Sequence, residues 1–350
     1  MDSFGLLDFT KSATLSHMPE SPPVHERLAR AVLPAYARDI GAPLRLLSLS
    51  ENATYLVDDG DPMVLRVHRP GYHSRDSIIS ELRWMTALRG ETEVVTPELI
   101  RARDGAEVVT TRLNGTESHV DAVTFVPGRT AEDDPGAVGF DQLGVLTAIM
   151  HEHAQCWTAP PQFTRFRWDL EATLGPRARW GDWRSAPGLT VDDRTWIERA
   201  SVRIARELTE FGCAPDRFGL IHADLRLSNL MIDPGRAGSD LTVIDFDDCG
   251  WSWYLADLGA VVSWIEDAAQ TPTIIADWLT GYRRIRSLPP DQLALIPTFV
   301  MLRRIMLTAW IGSHPEADAA IDVGDEFAPG TAVLAQRYLG DPTWLQDVIS

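Results

Sequence analysis

The sequence predicts an α+β fold built as two lobes: a small antiparallel β-rich N-terminal lobe with one helix, and a larger helical C-terminal lobe. Runs with the alternating period of strands crowd residues 44–68 and 106–126. From residue 141 onward the apolar residues recur with the period of helices. Pro127 and Gly128 mark the change and predict a hinge near 123–128. The expected organisation is a mobile arm over 1–23, a lobe over 24–126 and a second lobe over 127–350.

Residues 24–40 read as a helix that stops at Gly41, with Pro34 placed to kink it. LRLLSLS, TYLV and MVLRVH, separated by ENA and DDGDP, read as three short strands over 44–68. A helix follows over about 74–89, closed by Gly90. Two more strands lie near 106–112 and 119–126, with DG and NG pairs marking turns. Leu143, Leu146, Met150, His153 and Trp157 define one face of a helix over 141–157. Further helices are expected at about 191–211, 254–268, 273–286 and 291–311, and FGLIH and LTVID read as buried strands between them.

Composition narrows the function. The 350 residues are 45% hydrophobic with a net charge of −18, an acidic globular chain that repels phosphate backbones and anionic membranes, so neither a nucleic-acid nor a membrane partner is expected. A cationic small molecule suits that charge. Lys11 is the only lysine, which excludes a GxxxxGK[ST] loop and a Schiff-base lysine. Cys156, Cys213 and Cys249 form no CxxC pair, in keeping with a reducing compartment. No signal pattern opens the chain, and a cytoplasmic location is expected.

The chemistry concentrates in His222-Ala223-Asp224-Leu225-Arg226-Leu227-Ser228-Asn229 and, beyond it, Asp245-Phe246-Asp247. Asp224 follows one buried strand and Asp245 ends the next, so a hairpin brings Asp224, Asn229 and Asp245 together. Two carboxylates and an amide oxygen are hard ligands suited to Mg²⁺ that also holds substrate phosphates. Phosphoryl transfer needs such a set, with Asp224 as acceptor of the hydroxyl proton and Asn229 and Asp245 on the metal.

HADLRLSNL followed by VIDFDDCG resembles the motif pair of the aminoglycoside phosphotransferase / choline kinase family, small-molecule kinases with a protein-kinase-like fold. ENATYLV, VLRVHRPGYHS and SELRWMTAL resemble the small lobe of an uncharacterised bacterial branch. The resemblance implies ATP and Mg²⁺ as cofactors and a nucleotide-binding role for the first lobe. Glu81, beside an apolar helical stripe, wants a cationic partner, and Arg66 stands where the kinase fold carries a lysine. Ser50 and Asn52 lie in the expected phosphate-covering loop over 48–53, which lacks glycine. Thr124 to Val126 is the expected hinge beside adenine. Asp257 resembles the family's helix aspartate that holds the catalytic loop, and His222 reads as a brace for that loop. Trp251, Trp253, Tyr254 and Trp264 read either as helix packing or as an acceptor pocket for a cation.

The expected activity is transfer of the ATP γ-phosphate to a hydroxyl of an aminoglycoside-like antibiotic, an amino alcohol or a hydroxy amino acid. The alternatives are a nucleotide-binding pseudokinase and a kinase of protein Ser/Thr hydroxyls. A haloacid-dehalogenase-type phosphatase is a poor fit, because no lysine follows residue 11.

Overall fold

Alternating apolar and polar residues organise the N-terminal region around one antiparallel sheet. The computed structural model describes residues 22–49, 52–134, 136–232 and 241–345, so of the arm expected over 1–23 only Pro22 and Pro23 are described. Helix α1 (Val24–Val32) passes into a 3-10 turn, Leu33–Tyr36. The helix expected to reach residue 40 ends early because Pro34 lacks an N–H, and Ala37 closes the turn at φ 59°. Strands β1 (Leu44–Leu49), β2 (Asn52–Val57), β3 (Met63–His68), β4 (Val109–Leu113) and β5 (Thr116–Thr124) pair in the order β1-β2-β3-β5-β4. Asn114 and Gly115, at φ 53° and 84°, make the tight turn that the NG pair predicts between β4 and β5.

Helix α2 (Arg75–Glu91) joins the sheet to the rest of the protein. Ser74 Oγ caps it by accepting from Ser77 N at 3.2 Å. Gly90 does not end it; the Thr92 hydroxyl caps the Leu88 carbonyl at 2.6 Å, and the helix runs through Glu91. The sheet packs on α1 through Leu28, Val32, Leu33, Tyr55, Val57 and Leu65. The apolar side of α2 belongs to a different core: Ile78, Leu82, Trp84, Met85 and Leu88 pack with the helical C-terminal region.

That region begins with β6 (Arg129–Thr130), α3 (Phe140–Cys156), α4 (Leu170–Leu174) and α5 (Val191–Phe211). Strands β7 (Phe218–Ile221), β8 (Leu230–Ile232), β9 (Leu241–Val243) and β10 (Gly250–Trp253) follow. The two buried runs read from sequence are not arms of one hairpin: β7 pairs with β10, whereas β8 lies between β6 and β9. Helices α6 (Ala256–Val261), α7 (Thr271–Tyr282), α8 (Pro290–Leu293), α9 (Ile296–Ser313), α10 (Asp318–Val323) and α11 (Phe327–Gly340) complete the described fold. The helix expected over 254–268 shrinks to α6 because Trp264 turns at φ 73°. Pro297, in the first turn of α9, separates it from α8 and splits the segment expected over 291–311. Pro290–Ser313 is long and apolar enough to cross a membrane by composition alone, yet most of it is buried in this core.

Candidate active site

The loop after β7 is held from beneath. Ala223 is left-handed at φ 68°, a conformation that costs a non-glycine residue about 1 kcal/mol. Asp257 offsets that cost: its Oδ1 accepts from Ala223 N at 2.7 Å and its Oδ2 from His222 N at 3.2 Å. His151 Nε2 lies 3.0 Å from Asp257 Oδ2, and Tyr282 OH lies 2.9 Å from His151 Nδ1. Burial holds the His151 pKa down despite Asp257, so the neutral ring donates from Nε2 and accepts at Nδ1. His222 is likewise kept neutral by burial and donates from Nε2 to the Ile244 carbonyl at 3.1 Å. The sequence expectation of Asp257 and His222 as supports of this loop matches that geometry.

Asp224 is thereby presented to the cleft, with 16% of its side chain exposed. Arg303 Nη2 donates to Oδ1 at 2.5 Å, Arg226 Nε at 3.2 Å, and Asn229 Nδ2 donates to Oδ2 at 3.0 Å. Burial pushes the carboxyl pKa up, but the Arg226 and Arg303 guanidiniums hold it below the usual carboxylate range. Asn229 Nδ2 also donates to the Asp224 carbonyl at 2.8 Å, which turns its amide oxygen the other way. Ile244 N donates to Asn229 O at 3.0 Å, so Asn229 and the residue before Asp245 are zipped together. Asp245 adopts φ 62° and lines the same opening as Asp224. Among the described residues no three His, Cys, Asp or Glu side chains form a metal centre. The Asp224, Asn229 and Asp245 set instead fits an ion that shares its shell with phosphate oxygens.

Across the cleft, Arg66 on β3 donates from Nη1 to Glu81 Oε1 at 2.6 Å and from Nε to Asp121 Oδ2 at 3.0 Å. The predicted Arg66–Glu81 pair is therefore formed. Arg66 Nη2 is buried without a hydrogen-bond partner, and Arg66 lines the cleft. Glu81 is fully buried and does not line the cleft, so its part is to hold Arg66. Asn52 lines the cleft with its Oδ1 unpartnered; Ser50 lies outside the described residues. Thr124, Phe125 and Val126 line it too, but Thr124 is spent internally. Its N–H donates to Glu98 O at 2.9 Å and its Oγ1 accepts from Glu98 N at 2.9 Å. The Thr124 amide is therefore committed to Glu98.

The cleft has a volume of about 510 Å³. Val64, Pro97, Val123, Met231 and Ile244 give the cleft an apolar slot, and Trp180, Trp264, Leu307 and Trp310 line it too, Trp180 lying against the Arg303 that binds Asp224. Trp253 and Tyr254 are core residues, so only part of the aromatic group read from sequence reaches the opening. Arg226, Arg303, Asp121, Trp180 and Trp310 are site residues that sequence reasoning missed. Arg226 sits inside the motif itself, and the acid Asp121 within an apolar strand was the available signal for the third.

Residues 44–288 match the family model described as "Phosphotransferase enzyme family". The chain belongs to this family. A microcompartment-associated aminopropanol kinase structure is 43% identical, with TM-score 0.83 over 90% of this chain and 98% of that one. Amicoumacin kinase of Bacillus subtilis (strain 168) is 27% identical over 278 residues, 75% of this chain and 78% of the relative. The amicoumacin kinase hAmiN, solved with AMP-PNP, Ca²⁺ and Ami, shares the fold at TM-score 0.67 and 20% identity over 89% of this chain and 91% of that one. The phosphotransferase is thus an ATP-dependent small-molecule kinase that acts on a hydroxyl group. Arg303, Leu307 and Trp310 lie beyond the family-matched span of this kinase.

Proposed function

We propose that this kinase phosphorylates the hydroxyl of a small amino alcohol, with aminopropanol the leading acceptor. The supporting observation is the aromatic wall of the cleft that Asp224 also lines. Trp180, Trp264, Leu307 and Trp310 enclose a small aromatic space, with the Trp264 and Trp310 rings 5.9 Å apart. An ammonium group is attracted to such faces by about 0.5–2 kcal/mol. One ammonium on a short carbon chain fits that wall. The likeness to an aminopropanol kinase supports the same choice.

In this reading the acceptor hydroxyl lies against Asp224, which orients it and takes its proton as the oxygen attacks the γ-phosphorus. The bond from that phosphorus to the bridging oxygen breaks, and ADP leaves. A bound metal would supply charge neutralisation on the phosphates, and Asn229 and Asp245 would hold it. Arg66 offers Nη2 to phosphate oxygens and Asn52 contacts the same tail; adenine lies in the apolar slot beside Val126. Residues 24–126 act as the nucleotide-binding lobe and 127–350 as the catalytic and acceptor lobe. The cytoplasm, where ATP is available, suits this role.

The test is acceptor-dependent ADP release with Mg²⁺ across short amino alcohols, hydroxy amino acids and aminoglycosides. Turnover on the first class alone is expected. A preference for aminoglycosides would overturn the acceptor assignment, and ADP release on no small acceptor would favour the pseudokinase or protein-kinase alternatives.

A further inference from the structure

Arg165 lies in the segment between α3 and α4, more than 80 residues in sequence from both parts of the fold that it joins. Its side chain is fully buried. Nη1 donates to the α2 residues Ser77, at O (3.1 Å) and Oγ (3.2 Å), and Glu81, at Oε2 (3.4 Å). Nε donates to Cys249 O at 2.6 Å and Nη2 to the Asp247 carbonyl, both in the turn that follows Asp245. Its guanidinium lies 4.7 Å from the Phe166 ring centre. The neighbouring Thr164 N donates to Ser80 Oγ on α2 at 2.9 Å, and Trp168 Nε1 to Asp248 O at 2.7 Å. One buried fork therefore joins the carboxylate that holds Arg66 to the turn that carries Asp245.

We propose that Arg165 is a positioning residue for nucleotide binding: it locks α2 to the 245–249 turn, so that Arg66 and Asp245 stay aimed at one phosphate chain. This rests on the reading of Arg66 and Asp245 given above. Packing supports it, because the apolar residues of α2 around Glu81 already belong to the C-terminal core. A lysine at 165 keeps the charge but cannot span both partners.

The test compares Arg165→Gln and Arg165→Lys with the full-length parent. Nucleotide affinity is read by calorimetry with Mg·ATP, KM for nucleotide and for acceptor separately, and α2 mobility by amide exchange over 75–91. Loss of a buried charged hydrogen-bond set predicts a rise of about tenfold in nucleotide Kd and KM for Arg165→Gln. Acceptor KM stays unchanged, exchange over 75–91 quickens, and Arg165→Lys recovers part of the loss. Unchanged nucleotide affinity, or an equal rise in both KM values, overturns the proposal. If Arg165→Gln does not fold, the same readings on Arg165→Lys decide. Arg66→Ala separates the two claims. If it leaves nucleotide affinity intact, the Arg66 reading fails; if it weakens affinity while Arg165→Gln does not, only the Arg165 role fails.

Discussion

Arg303 Nη2 donates to Asp224 Oδ1 at 2.5 Å, joining helix α9 to the loop after β7. The same guanidinium donates from Nη1 to the Ala223 carbonyl at 3.1 Å and from Nε to Ser263 Oγ at 2.8 Å. It fixes both the position and the charge of the carboxylate. Arg303→Met should lower kcat by about 100-fold through misplacement of Asp224, with Mg·ATP affinity unchanged. Steady-state kinetics with calorimetry checks this; an unaltered kcat would reduce Arg303 to packing against Trp180.

Asp245→Asn removes a proposed ligand of the ion and leaves the fold intact. Affinity for ATP should then fall when Mg²⁺ is present and stay near the parent value in excess chelator. Titrations under both conditions separate the metal role from a plain loss of shape, which would weaken both.

Arg66→Lys puts a point charge where a fork bridges Glu81 and Asp121. Lysine reaches one of those buried carboxylates and leaves the other underpaired, a cost of about 3 kcal/mol. Thermal melts should show a lower Tm, and added Mg·ATP should restore less of it than in the parent. Equal melting of the two proteins would mean that the pair network is dispensable.

The fold was legible in the sequence wherever periodicity was strong. Val191–Phe211 matches its expected helix end to end, and the NG pair gave the right turn. Errors came where tertiary contacts override local pattern: Thr92 caps α2 beyond Gly90, and Trp264 turns the chain that periodicity would continue. The nearness of Asp224, Asn229 and Asp245 was expected from local spacing, and the structure joins Asn229 to Asp224 by a hydrogen bond and lines one cleft with Asp224 and Asp245. Arg303 and Trp310 were not legible, because they reach the cleft from a buried helix with no motif of its own. Arg303 and Arg304 are adjacent in the sequence, yet only folding tells that one meets Asp224 and the other Glu266, at 3.0 Å.

Acid stability should depend on Glu207. Burial pushes its pKa up, but hydrogen bonds from Thr298, Arg203 and Tyr338 outweigh that and bring it below the ordinary 4.5. A folded pKa below the unfolded one stabilises the protein fully above about pH 4.5, and that contribution is lost as pH falls through the folded value. Glu207→Gln should therefore melt lower than the parent at neutral pH, with the gap closing in acid. Melting curves across pH test it, and a constant gap would contradict the linkage.

The central claim is that Asp224 directs an acceptor hydroxyl onto the γ-phosphate of ATP. Its most direct test is ³¹P NMR of parent and Asp224→Asn proteins incubated with Mg·ATP and aminopropanol. The account predicts a phosphate monoester of aminopropanol appearing with ADP for the parent. The variant should form no ester while its Mg·ATP affinity, measured alongside, is retained. Ester formation by Asp224→Asn at the parent rate would contradict it.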